Sequence, residues 1–128
     1  MSFVVKSHLV NFEENENIKV NKLFNFLFSL LKNDIFSEII EDMKKNEDYQ
    51  IIFTGHSIGG VIATLASYYY KKHNLSKNEP ILITFGQPRV GNEEFAIDYM
   101  KIIPNVYRIE RYEDFYSMFP PNKKFKDK

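Results

Sequence analysis

The order of apolar and polar positions predicts alternating strands and helices. Residues 3–10, FVVKSHLV, are β-branched or aromatic with Lys6 and His8 two apart, which predicts a strand. Residues 11–19, NFEENENIK, predict a polar loop whose charge is solvated. Over residues 20–46, Leu23, Leu27, Leu30, Leu31, Ile35, Ile39 and Met43 recur at helical spacing. Phe24, Phe26, Phe28 and Phe36 widen that apolar face, and Asn33-Asp34 suggests a break or cap. A helix packed on a sheet accounts for the pattern better than contact with lipid. Residues 50–54 and 81–85 are apolar without alternation, as in strands buried on both faces of a parallel sheet.

Between those strands a helix starts at Ser57, with Ile58, Val61, Ile62, Leu65, Ala66 and Tyr69 on one face. Lys71-Lys72-His73-Asn74 ends it, since cations suit a helix C-terminus and Asn suits a left-handed cap. Residues 93–102 predict a short helix stopped by Pro104, and residues 106–109 a fourth strand. The order β-α-β-α-β-α-β argues an α/β fold: a mostly parallel sheet of about four strands with flanking helices. Two unpaired edges on so small a sheet invite self-association.

Composition narrows the function classes. At 128 residues the chain is one domain or part of one. Hydrophobic residues make up 44 %, enough for a core, and 17 basic residues balance 17 acidic ones. No polyanionic partner is implied, so nucleic acid is not expected. There is no cysteine, which excludes disulfides and leaves the compartment open. The opening MSFVVKSH lacks the apolar segment of a signal peptide, and residues 23–31 are too short to span a bilayer. The three histidines show no ligand spacing, so neither a metal nor a cofactor is expected.

The chemistry concentrates in QIIFTGHSIGGVIATLASYYY, residues 50–70. An apolar strand, a sharp turn carrying Ser57 and an immediate helix form the pattern of a nucleophile elbow. Gly55 and Gly59 are expected to remove side chains that would collide across the turn. Gly60 is expected to bring the helix close to the strand. The Ile58 N–H then stands at a helix N-terminus, able to donate to a developing oxyanion. The plain alternative is a structural turn with Ser57 capping the helix. All five glycines fall in residues 55–60 and 86–92, loops at C-terminal strand ends where open parallel sheets gather their reactive groups. Asp114, after the last strand, is the candidate acid, with Glu110 and Glu113 as competitors. A base is harder to find. His56 lies inside the elbow, His73 at the far end of its helix, and His8 precedes the serine, so each reads as a surface or packing histidine.

These residues resemble the class 3 lipases, the fungal-type triacylglycerol lipases of the α/β-hydrolase fold. TGHSIGGVIATLAS (residues 54–67) resembles the family's elbow. ITFGQPRVGNEEFA (83–96) and YRIERYEDFYSMFPP (107–121) resemble two further family blocks in the same order. The resemblance covers residues 50–121, with the N-terminal third matching only loosely. It implies Ser57 as nucleophile, Asp114 as triad acid, the Ile58 N–H as an oxyanion donor, and Gly86, Pro88 and Gly91 as positions shaping the site. Gly55, His56, Gly59 and Gly60 match the elbow. Arg111 stands where the family usually has Asn, and Tyr116-Ser117 replace Val-Pro. The family's catalytic histidine is expected tens of residues beyond Pro120-Pro121. Residues 1–128 are therefore expected to be a partial lipase-like domain, truncated at both ends. The implied reaction is hydrolysis of acylglycerols or related lipid esters through a serine acyl-enzyme, with peripheral contact at a lipid interface and little activity in this chain by itself. The alternative is a non-catalytic, lipase-like protein that binds lipid or a partner.

Overall fold

The computed structural model describes residues 8–75 and 77–111. The chain opens with a hairpin, β1 (Leu9–Phe12) and β2 (Asn15–Asn21), paired antiparallel. Glu13 and Glu14 link them at φ of 54° and 61°. Two left-handed residues give the turn whose twist matches that of the flanking strands. In β2, Ile18 and Val20 are buried on either side of half-buried Lys19. The expected polar loop over 11–19 is therefore largely hairpin. Of the strand expected over residues 3–10, residues 3–7 lie outside the described residues, and Leu9 and Val10 belong to β1, which pairs within the hairpin and not in the parallel sheet.

Helix α1 (Lys22–Lys45) starts where the Asn21 side chain accepts the N–H groups of Leu23 and Phe24, at 2.9 and 3.3 Å. It runs unbroken through Asn33-Asp34, because both side chains stand exposed on the solvent side. Phe24, Phe28 and Phe36 are its buried residues. They pack on the hairpin and on the helix of the elbow, and α1 does not lie directly on the parallel sheet.

The parallel sheet has the order β3-β4-β5, from Ile52–His56, Ile81–Phe85 and Asn105–Ile109. Helix α2 (Ile58–Lys72) joins β3 to β4, and α3 (Glu93–Ile102) joins β4 to β5. An α/β architecture with a parallel sheet is thus what the chain adopts, with three strands in that sheet among the described residues. Register places Phe53, Leu82 and Val106 in one row and Thr54, Ile83 and Tyr107 in the next. Side chains of successive rows point to opposite faces. The first row is buried or half-buried beneath α2. On the other face Ile52, Thr54, Phe85, Tyr107 and Ile109 are exposed. Among the described residues one face of these strands is buried, not the two expected, because α1 and α3 pack with α2 on a single side.

Helix α2 is consequently the centre of the molecule. Gly60, Val61, Ala63 to Tyr68 and Tyr70 are buried, which is most of its circumference and marks a core helix. Ile58, expected on its apolar face, is instead exposed at the tip. Phe12 joins the layers: its ring lies 5.7 Å from Tyr68, 6.1 Å from Phe28 and 6.3 Å from Phe95. Such aromatic pairs contribute about 0.5–1.5 kcal/mol each beyond the area they bury.

Candidate active site

Between β3 and α2 the chain turns on a single residue. Ser57 has φ 54° and ψ −120°, a conformation that costs a non-glycine residue on the order of 1–3 kcal/mol. The surrounding hydrogen bonds hold it there. Its N–H donates to the Phe85 carbonyl at 2.9 Å, and its own carbonyl accepts from Gly60 and Val61 at 3.0 and 3.3 Å. Its hydroxyl makes no capping bond to α2. The capping role that would explain a serine here without chemistry is therefore not the one its side chain plays. Ser57 is half-buried, and Ile58 beside it is 47 % exposed. As the first residue of α2, Ile58 has an N–H with no intrahelical acceptor.

The two elbow glycines differ. A Cβ on Gly55 would lie 2.3 Å from the Gly59 carbonyl carbon and oxygen, so no side chain fits. A Cβ on Gly59 would meet nothing within 4 Å. The expected clash at Gly59 is absent because the crowding is one-sided, side chain of residue 55 against backbone of residue 59. Gly60 has neighbours at 3.2–3.3 Å, among them the Cβ atoms of Gln87 and Thr84, which is how α2 closes on the sheet.

The loop after β4 stands at the same end. Gly86 takes φ 58° and donates to the Ile109 carbonyl at 2.9 Å. Pro88 is buried. Gly91 faces β2 so closely that a Cβ would lie 2.2 Å from the Lys19 carbonyl oxygen. Asn92 caps α3 by accepting from the Phe95 N–H at 2.9 Å. The same oxygen accepts from the Lys19 N–H at 3.1 Å, and its amide donates to the Asn17 carbonyl at 2.8 Å. One asparagine thus pins the loop to the hairpin.

Behind the serine runs a polar brace that sequence reasoning missed. Gln87, 4 % exposed, accepts the Thr64 hydroxyl at 3.0 Å on its side-chain oxygen. Its carbonyl accepts from the Arg108 guanidinium at 2.6 Å, and Arg108 pairs with Glu110. Elbow helix, β4 loop and β5 are joined through these three side chains. Burial, and then the neighbouring Arg108, hold the Arg89 guanidinium below its usual pKa, with Glu110 opposing. Only the pattern F-G-Q-P-R hinted that Gln87 faces inward.

None of the three histidines bonds to Ser57 among the described residues. His56 is the exposed last residue of β3. His73 lies against the Tyr69 ring and meets Glu13 of the hairpin turn at 3.0 Å. His8 is exposed, and its carbonyl accepts from the Lys22 N–H. Asp114 and Glu113, the expected acid and its rival, lie outside the described residues. Glu110 is committed to Arg108. Among the described residues no group of histidines and carboxylates could hold a metal ion. A depression of about 450 Å³ opens at the other end of α2, lined by Lys71, Lys72, Glu79 and Lys101. Its lysines are largely matched: Lys71 pairs with Glu79, and Lys72 with Asp98 at 3.0 Å.

Known proteins resemble the chain in sequence and in fold. A lipase from Rhizomucor miehei is 33 % identical over 89 residues, which is 68 % of this chain and 24 % of that protein. The solved structure of the Rhizomucor miehei triacylglyceride lipase superposes with a TM-score of 0.83 at 27 % identity, covering 91 % of this chain and 45 % of that one. A second solved triacylglycerol lipase, described as having a serine protease triad at its catalytic centre, gives a TM-score of 0.84 at 27 % identity over 92 % of this chain and 45 % of its own. The chain thus spans about a quarter of the curated relative and under half of the solved ones. The family described as Lipase (class 3) matches residues 2–124, and the chain belongs to that family.

Proposed function

We propose that this chain carries the nucleophile of a lipid-ester hydrolase and that Ser57 is that nucleophile. The observation that carries the reading is the turn itself. A serine is held at positive φ, half-exposed, its hydroxyl making no capping bond and a helix N-terminus beside it. In the reaction Ser57 Oγ attacks the ester carbonyl and gives its proton to a base. The Ile58 N–H donates to the oxyanion. Collapse expels the alcohol with that proton and leaves an acyl-enzyme, which water hydrolyses to acid and free serine. Asp114 is the acid in this scheme, by resemblance. The triad described for a solved relative supports a histidine as base.

No histidine of this chain stands at Ser57 among the described residues, so the chain by itself is expected to be nearly inactive. Loss of a triad histidine costs on the order of 10⁶ in kcat. That same observation favours the second reading, a lipase-like binding protein without catalysis. The half-exposed serine whose hydroxyl does not cap α2 counts against it. Hydrolysis of a short-chain p-nitrophenyl ester, with and without added imidazole as a diffusible base, tests the assignment. The expected result is a slow reaction that imidazole accelerates beyond its own background, with the excess lost in Ser57→Ala. A Ser57→Ala protein equal to its parent under both conditions overturns the role of Ser57. Lipase-like turnover without imidazole, abolished by Ser57→Ala, overturns the missing base and points to His8.

A further inference from the structure

The tip of α2 is seated through Gly60. Ile58 is half-exposed, and a Cβ on Gly59 would meet nothing within 4 Å. A Cβ on Gly60 would instead lie 3.2 Å from that of Gln87 and 3.3 Å from that of Thr84. The Thr84 hydroxyl is buried and makes no hydrogen bond among the described residues. The polar tie at this seat therefore falls to Gln87.

That tie reaches the serine in three hydrogen bonds. The Thr64 hydroxyl lies 3.0 Å from the Gln87 side-chain oxygen and 2.8 Å from the Gly60 carbonyl oxygen. It has one proton to share between them. A threonine that bonds back to the carbonyl four residues earlier bends its helix, so a competing acceptor at Gln87 acts on that bend. The Gly60 N–H in turn donates to the Ser57 carbonyl at 3.0 Å. Gln87 is itself held on both sides. Its carbonyl accepts from Arg108 at 2.6 Å, and the Gly86 N–H before it donates to the Ile109 carbonyl at 2.9 Å. Two residues upstream, the Phe85 carbonyl takes the Ser57 N–H. One short stretch of chain thus holds the elbow at two points, the serine N–H and the second turn of its helix.

We propose that Gln87 is a positioning residue: through Thr64 it sets the angle at which the first turn of α2 leaves Ser57, and with it the aim of the Ile58 N–H at the oxyanion. Ile58 contributes a backbone group, so only the course of the chain can aim it. Such a donor has to stand about 2.7–3.1 Å from the developing charge, and a misplacement of about 1 Å can cost as much as 10²-fold in rate. The inference rests on the hydrolase reading and adds to it what fixes the oxyanion donor.

The test uses the full chain with imidazole as diffusible base. The protein is treated with a p-nitrophenyl alkylphosphonate and with its thiono analogue, and labelling of Ser57 is followed by p-nitrophenolate release and intact mass. Ser57 Oγ bonds to phosphorus, p-nitrophenolate leaves, and imidazole takes the serine proton. The phosphoryl oxygen stands where the ester oxyanion would, whereas sulfur accepts hydrogen bonds weakly. The ratio of oxo to thiono labelling rates therefore reads the oxyanion donor, and a purely structural role would not move it. The expected result is a ratio about tenfold lower in Gln87→Met and in Thr64→Val, with no further loss in the double variant. Thr64→Ser, which keeps the hydroxyl, should keep the parent ratio. Three outcomes overturn the role of Gln87: an unmoved ratio, oxo and thiono rates that fall together with the thermal midpoint, or additive losses in the double variant. Should Gln87→Met fail to fold, Thr64→Val against Thr64→Ser decides on the same ratio. A parent chain that labels no faster than Ser57→Ala overturns the hydrolase reading and this inference together. A labelled parent with an unmoved ratio in the variants overturns the inference alone.

Discussion

Gly55 and Gly59 flank Ser57 symmetrically in sequence and unequally in space. Gly55→Ala places a methyl group 2.3 Å from fixed backbone, and such overpacking costs about 1–3 kcal/mol. Gly59→Ala points into open space within α2, where replacing Gly gains up to about 1 kcal/mol of helix propensity. Urea unfolding of the two variants should therefore shift in opposite directions. Equal losses would mean that the turn is tight on both sides. The tight turn at Ser57 and the close approach at Gly55 could be read from sequence, because strand, turn and helix follow one another there without a gap. Thr64, Gln87, Arg108 and Asn92 went unread because their partners lie 21–75 residues away. No local spacing encodes a contact of that kind.

At the level of elements, strand and helix order from β3 to β5 was legible, because apolar runs and helical spacing are strong signals there. The hairpin was not. A turn of this type normally announces itself with Asn or Gly, and here Glu13-Glu14 occupies it inside an acidic run. One-sided burial of the sheet was also illegible, since an apolar strand does not say whether both faces find a helix. The seam between α2 and α3 has a pH signature. Tyr99 donates to or accepts from the Ser67 hydroxyl at 2.7 Å, and burial pushes its phenol well above the usual value near 10, with Ser67 opposing. Tyr68 is raised by burial and then by Asp98, whose oxygen lies 2.5 Å away. The folded state thus prefers neutral phenols. That stability is fully present below pH about 10 and is lost as pH rises above it. Burial works to raise Asp98, but hydrogen bonds from Tyr68 and Lys72 outweigh it and depress its pKa. That contribution is present above pH about 4 and is lost as acid titrates the folded carboxylate. Thermal melts from pH 8 to 11 should show an alkaline fall that flattens in Tyr99→Phe. An unchanged slope would show that Tyr99 does not drive it.

Among the described residues the parallel sheet is covered on one side. Ile52, Phe85, Tyr107 and Ile109 together form an exposed apolar patch beside two unpaired edges, β3 and β5, among the described residues. Patches of this kind mark interaction surfaces or association hazards. The chain should associate reversibly at tens of micromolar, and Ile52→Lys with Tyr107→Lys should shift sedimentation toward monomer. A parent chain that sediments as monomer throughout would sink this expectation. The pin at Asn92 has a consequence in time. It joins residues 17 and 19 to residue 92, the first and last thirds of the described chain. On a ribosome adding about 5–20 residues per second, β2 waits roughly 4–15 s before its anchor has been made. Until then Ile18 and Val20 lack the loop they pack beside, while α2 and β3 are already complete. The serine turn itself is complete only once Phe85, which accepts the Ser57 N–H, has been made, so turn and pinned loop settle almost together, and Arg108 and Ile109 close the brace around them last.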